Sequence, residues 1–224
     1  VPGVAIEINF IDHVSIFNVV RSALETYLSL NHILTTPGIT DEIRSFRRTL
    51  WHASSLSNRQ RLTPLTPLMQ SQLAREAVDL TNMCSDLSRS PLFLLTEHVS
   101  GVAQRVISRG VGRFDWKPDG GWRTLAVEAG WNVNYYEDVY NHLSAVSHSD
   151  ATVSWQLAQS SREMQLGQAS LAVDILNVVL SLFLRDFSQI LPASSTWLSV
   201  QPDVKMIIDV NSHIATNYIP SVIS

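Results

Sequence analysis

The chain has 224 residues, 45% of them hydrophobic, with 16 Lys+Arg against 20 Asp+Glu. That composition fits one helical domain, or a domain with a small appendage, and excludes disordered, collagenous and coiled-coil chains. The net charge of −4 excludes broad, non-specific nucleic-acid binding, which needs a basic face to release counterions, and leaves only a local Arg cluster able to hold a phosphate.

From Ile8 to Leu34 the apolar residues Phe10, Phe17, Val20, Leu24, Tyr27, Leu28 and Leu34 recur at helical spacing, and Thr35-Thr36-Pro37-Gly38 ends the run. Thr40, followed by Asp41 and Glu42, supplies an N-cap and first-turn acids for a helix through Ile43, Phe46, Leu50 and Trp51. Asn58 to Pro67 is a connector. Thr66-Pro67 and Ser90-Pro91 each pair a capping hydroxyl with Pro at the first helical position, so they predict helices of about 20 and about 16 residues. Arg109 to Gly121 has four of the nine glycines and no periodicity, which reads as a long loop. A short helix over Trp122 to Glu128 and a turn at Gly130 lead to Asn132. This residue caps a helix with Tyr136, Val139, Tyr140, Leu143 and Val146 on one side, closed by Ser147-His148-Ser149-Asp150. A long helix from about Ser161 to Ile190 stops at Pro192, and a short amphipathic segment runs from Asp203 to His213. Strand signals are weak throughout.

The expectation is therefore an all-α fold: a bundle of about six or seven helices forming a single helical domain over residues 1–224, with 109–121 a loop and 192–224 a C-terminal appendage. The most apolar window, Ala169 to Leu184, carries Asp174 and Asn177 and reads as a buried core helix rather than a membrane span. The single Cys84 cannot form an intramolecular disulfide and no basic segment precedes an apolar run at the start, so a reducing cytoplasm is expected. The chain opens on Val1 rather than Met, as a trimmed chain or the later part of a longer protein would.

Arg outnumbers Lys fourteen to two. The guanidinium fork takes a carboxylate or a phosphate bidentately, so the bias fits phosphate recognition, buried ion pairing or genomic base composition. Arg21 and Glu25 lie one turn apart at the edge of an apolar arc, where a partly buried pair serves either to fix packing or to hold an Arg at a site. Arg44, Arg47 and Arg48 with Trp51 and His52, followed by Arg59 and Arg61, either pair with acids on neighbouring helices or cradle an anion such as an RNA phosphate. Trp51, Trp122 and Trp155 read as core anchors. Glu137, Asn141, Ser144 and His148 share one helical line, either a solvated face or a polar site. His148, at a helix end, is the first candidate acid or base. His142 reads as a core-edge histidine with one hydrogen bond. His148 and Asp150 have a spacing that suits a metal, but no HExxH, CxxC or EF-hand pattern accompanies them, and no Gly-rich phosphate loop is present. Neither a metal nor another cofactor is expected.

Three segments carry a resemblance: Arg21 to Leu34, Glu42 to Leu62 and Trp122 to Asp150. Arg21 and Glu25; Phe46, Arg47, Trp51, Arg59 and Gln60; and Tyr140, Leu143, Ser144 and His148 follow in the order seen in an uncharacterised bacterial all-helical family. That family is distantly similar to the HEPN superfamily of helical-bundle proteins. The superfamily likeness implies metal-independent RNA cleavage, usually across a homodimer, with His as acid or base and Arg stabilising charge on the phosphate. On this reading His148, Arg21, Glu25 and Arg47 would be catalytic, and Arg59, Asn141, Ser144 and Tyr140 would bind substrate. RNA and a second copy of the chain are the implied partners, in a bacterial defence or toxin system. The chain departs from the superfamily motif at one point: at the Arg-x4-6-His spacing from His148 stand Leu143, His142 and Asn141, so an Arg from elsewhere must converge on it. The competing expectation is a non-catalytic module that binds a protein or another ligand, in which the same residues form a structural network. A metal hydrolase using His148 and Asp150 is the third.

Overall fold

A computed structural model of the protein describes residues 12–110, 112–147 and 160–218. The described residues are all-α, with nine helices and no strand. They are α1 (His13–Leu30), α2 (Asp41–Arg59), α3 (Pro67–Arg89), α4 (Gly101–Arg109), α5 (Gly121–Glu128), α6 (Val133–Ser147), α7 (Arg162–Ser188), α8 (Pro192–Ser199) and α9 (Pro202–Asn217).

Most helix starts sit where a capping side chain predicts them. The Thr40 hydroxyl accepts from Ile43 N, Thr66 from Met69 N and Ser161 from Met164 N, while Asn132 Oδ1 accepts from Asn134 N and Tyr135 N. The nine described helices exceed the six or seven expected, and two starts differ from the expectation. Ser90-Pro91 opens only a 3-10 turn (Pro91–Leu94), because Leu95 is already extended and Ser100 caps a separate helix, α4, through Ala103 N. A second capping hydroxyl a few residues downstream competes with helix continuation. Pro192 does not merely end α7; it occupies the first turn of α8, where a missing N–H costs nothing.

The chain divides into two compact units, Val1–Tyr27 with Trp131–Ser224, and Leu28–Gly130. In the first, Phe17, Val20 and Leu24 of α1 and Tyr136, Val139 and Leu143 of α6 are buried, as are Ala172, Ile175, Val179 and Leu182 of α7. α9 packs on α7, burying Ile208 and Ala215, and Asn211 Nδ2 donates to Ser181 Oγ at 3.0 Å. The buried Tyr27 hydroxyl donates to Asp186 Oδ2 at 2.7 Å, and burial followed by the Asp186 charge raises the phenol well above its ordinary pKa. α7 is longer than its apolar window and, by length and composition alone, could cross a bilayer. Among the described residues, a third of its most apolar window is buried.

In the second unit α2 packs on α3, and α3 on α4. Leu50, Ala53, Leu87, Val99, Ala103 and Leu125 are fully or nearly fully buried. The expected loop, described from Gly112 to Gly120, buries Phe114 and Trp116, and the Ser54 hydroxyl donates to the Phe114 carbonyl at 3.0 Å. Gly110 ends α4 at φ +66, and Gly120 precedes α5 at φ +87, where a Cβ would collide with the Thr124 hydroxyl oxygen. Both positions call for glycine. Trp51, expected as a core anchor, is 44% exposed, because it lies on the α2 face opposite Leu50 and Ala53. Trp116 is buried in this unit, and Trp122 is half-buried beside it with ring centroids 6.0 Å apart. Trp155 lies outside the described residues.

Candidate functional site

The polar residues singled out in the sequence fall into separate clusters. In the first unit Arg21 Nε donates to Glu25 Oε1 at 2.9 Å, Arg21 Nη2 to the Tyr140 hydroxyl at 3.3 Å, and that hydroxyl to Glu25 Oε1 at 3.4 Å. The guanidinium carbon also stands 5.4 Å from the Tyr140 ring centroid, a cation–π distance. Burial and the Glu25 charge raise the Tyr140 phenol, so at neutral pH it stays a donor. The three side chains are half-buried and bonded to one another. Asn141 is exposed and Ser144 half-buried on the same helix. His148 and Asp150 lie outside the described residues. His142 packs edge-on against Phe17, with ring centroids 4.9 Å apart, and its buried Nε2 lacks the expected hydrogen bond among the described residues.

In the second unit the Arg patch of α2 disperses. Arg59 forks onto Glu76 of α3 with two bonds of 2.9 Å, and Arg44 pairs with Asp41 and donates to the Leu34 carbonyl. Arg47 turns inward and is 5% exposed. Its Nη1 donates to the His32 carbonyl at 2.6 Å and to the Thr36 hydroxyl at 3.2 Å; its Nη2 donates to Glu128 Oε1 at 2.8 Å and to His98 Nδ1 at 3.3 Å. The Arg47 Nε is buried with no hydrogen-bond partner among the described residues.

Local structure explains why these groups meet. After Leu30 the chain widens into a π turn (Asn31–Thr35), and the Thr36 hydroxyl donates to the Asn31 carbonyl at 3.1 Å. The widened turn leaves the His32 carbonyl for Arg47 and directs the His32 ring to Glu128 Oε2 at the end of α5. Burial holds His32 below the ordinary imidazole value against the pull of Glu128, so at neutral pH the neutral ring donates its Nδ1–H to the carboxylate. Burial raises the Glu128 carboxyl, but the His32 hydrogen bond and the Arg47 charge outweigh it and hold Glu128 below the usual carboxylate range. His98 is lowered by burial and by Arg47. Since Arg only donates, His98 Nδ1 is the acceptor and Nε2 carries the proton, 3.6 Å from Glu97.

Beside this cluster opens a pocket of about 410 Å³. Arg47, His98 and Glu128 contribute to its lining, with Thr36, Ile39, Ile43, Thr124, Val127 and Glu97 around them. A second cleft, about 470 Å³, lies along α3 and α4 beside half-buried Cys84, whose thiol burial raises. No group of three or more His, Cys, Asp or Glu able to hold a metal exists among the described residues. Sequence reasoning finds Arg47 and misses His32, His98 and Glu128. His32 lies four residues after Leu28, where the apolar arc of α1 continues past Leu30 into the π turn, which is a legible sign of a buried polar group; His98 and Glu128 carry no such sign. Compared with family models, curated proteins and solved structures, the chain matches none.

Proposed function

We propose that this chain is a non-catalytic helical binding module, and that the pocket beside Arg47 takes a small ligand with an apolar body and a cationic or hydrogen-bond-donating head. The observation that carries this reading is the placement of the pair formed by buried Arg47 and half-buried Glu128 at a concave pocket. Arg47 offsets the Glu128 charge, both nearby histidines are neutral, and Glu97 adds one further carboxylate at the lining, so the local balance is negative. Ile39, Ile43 and Val127 supply the apolar wall. The RNA-cleavage alternative needs a guanidinium available to a phosphate, whereas Arg21 directs its Nε and Nη2, and Arg47 both its Nη atoms, to groups of the chain.

The test is a calorimetric screen of primary amines and guanidines with apolar tails, run beside incubation with total RNA with and without chelator. We expect saturable amine binding, weakened about tenfold by Glu97→Gln, the loss of one charge-assisted contact, and abolished by Val127→Trp, with intact RNA throughout. RNA cleavage by the wild type that His148→Ala or Arg21→Ala removes, with folding retained, would overturn the proposal.

A further inference from the structure

α7 carries two apolar stripes on opposite sides. Ala172, Ile175, Val179 and Leu182 form the buried one. The other consists of Leu166, Ser170, Val173, Asn177, Leu180 and Leu184, all exposed; the four large apolar members are exposed by 50%, 49%, 47% and 42%. The steps between these six residues are four, three, four, three and four. That is the heptad spacing of a helix-pairing seam, with Ser170, Asn177 and Leu184 at the a positions and Leu166, Val173 and Leu180 at d. At 1.5 Å per residue the seam runs for about 27 Å.

We infer that this outer seam of α7 pairs, in parallel and in register, with the α7 seam of a second copy of the chain. The polar residue at its middle identifies the occupant. Asn177 at an a position costs stability unless an amide faces it, and a parallel two-fold pair puts Asn177 against Asn177, so each amide supplies the other's donor and acceptor. An antiparallel pair would set Asn177 against an aliphatic d residue. A lipid phase would leave Asn177, Ser170 and neighbouring Asp174 facing hydrocarbon, although the helix is long and apolar enough to span it. The flanks permit the pairing: Asp174 stands at e, and the g positions are Ala169, Leu176 and Phe183, so no like charges oppose one another across the seam. A seam of about two and a half heptads is at the small end of specific interfaces, so the assembly is concentration-dependent.

Sedimentation of the full chain from about 1 to 100 µM tests this, a range in which weak specific interfaces assemble. We expect a monomer–dimer equilibrium that the double variant Val173→Glu, Leu180→Glu converts to monomer throughout. Its helical circular dichroism should be unchanged, and at about 1 µM, where the wild type is mostly monomer, so should its melting midpoint, because both side chains are exposed. In a Cys84→Ser background, Asn177→Cys should form an oxidised dimer at twice the chain's 25.0 kDa. A wild type that is monomeric at every concentration, a dimer that survives the double variant, or Asn177→Cys that fails to cross-link within a dimer each overturns the inference. So does flotation with phosphatidylcholine vesicles that the double variant abolishes, which would make lipid the occupant.

Discussion

Arg47 resembles the other arginines of α2 in sequence and differs from them in where its charge goes. Arg44 and Arg59 meet acids at the surface or near it, where such pairs contribute little. Arg47 is buried against Glu128, and the histidines on either side are neutral chiefly because burial disfavours a second charge there, with the Arg47 cation acting in the same direction. This sets the sign of a pH dependence. His32 and His98 both titrate below their reference of 6.5 in the folded state, so as pH falls through that value the unfolded chain binds protons that the folded chain resists. Glu128, lowered from 4.5, adds a contribution that is present above 4.5 and lost as pH falls through its folded value. Thermal stability should therefore decline steadily below about pH 6.5, and His98→Gln should flatten the upper part of the decline. Melting curves between about pH 7.5 and 4 check this, and a wild-type midpoint that is flat down to about pH 5 contradicts it.

At the level of single elements, the capping residues decide where helices begin. Ser100 Oγ accepts from Ala103 N and separates α4 from the preceding 3-10 turn, while Gln104 Nε2 donates to the Phe93 and Val99 carbonyls that the interrupted helix leaves over. Ser100→Ala should cost about 1 kcal/mol, read as a lowered denaturation midpoint with an unchanged slope, and Ser100→Asp should restore most of it. Thr40, Thr66, Asn132 and Ser161 are legible in the sequence because a cap acts on an N–H two or three residues away. Ser100 is obscured by the stronger-looking Ser90-Pro91 signal. α8 is obscured because a Pro that ends one helix also suits the first turn of the next.

For the whole molecule, each of the two polar networks belongs to one unit. Arg21, Glu25 and Tyr140 lie in the first; Arg47, His32, His98 and Glu128 in the second. The two have no residue in common, so Arg21→Ala and Arg47→Ala should have additive effects on unfolding free energy to within about 0.5 kcal/mol. Arg47→Ala should be the larger, at about 2 kcal/mol, because it takes away the cation that is hydrogen-bonded to the half-buried Glu128 carboxylate. A double-mutant cycle by chemical denaturation measures both, and strong coupling would mean that the arginines act on one site. The all-α class, most helix starts and the glycine-bearing loop were set by the sequence alone, since caps, periodicity and φ preferences act over a few residues. The partners of its arginines were decided by tertiary structure: Arg47 meets Glu128 across 81 residues and Arg21 meets Tyr140 across 119. No local rule specifies such pairs, because which carboxylate reaches a buried guanidinium depends on how the helices pack around it.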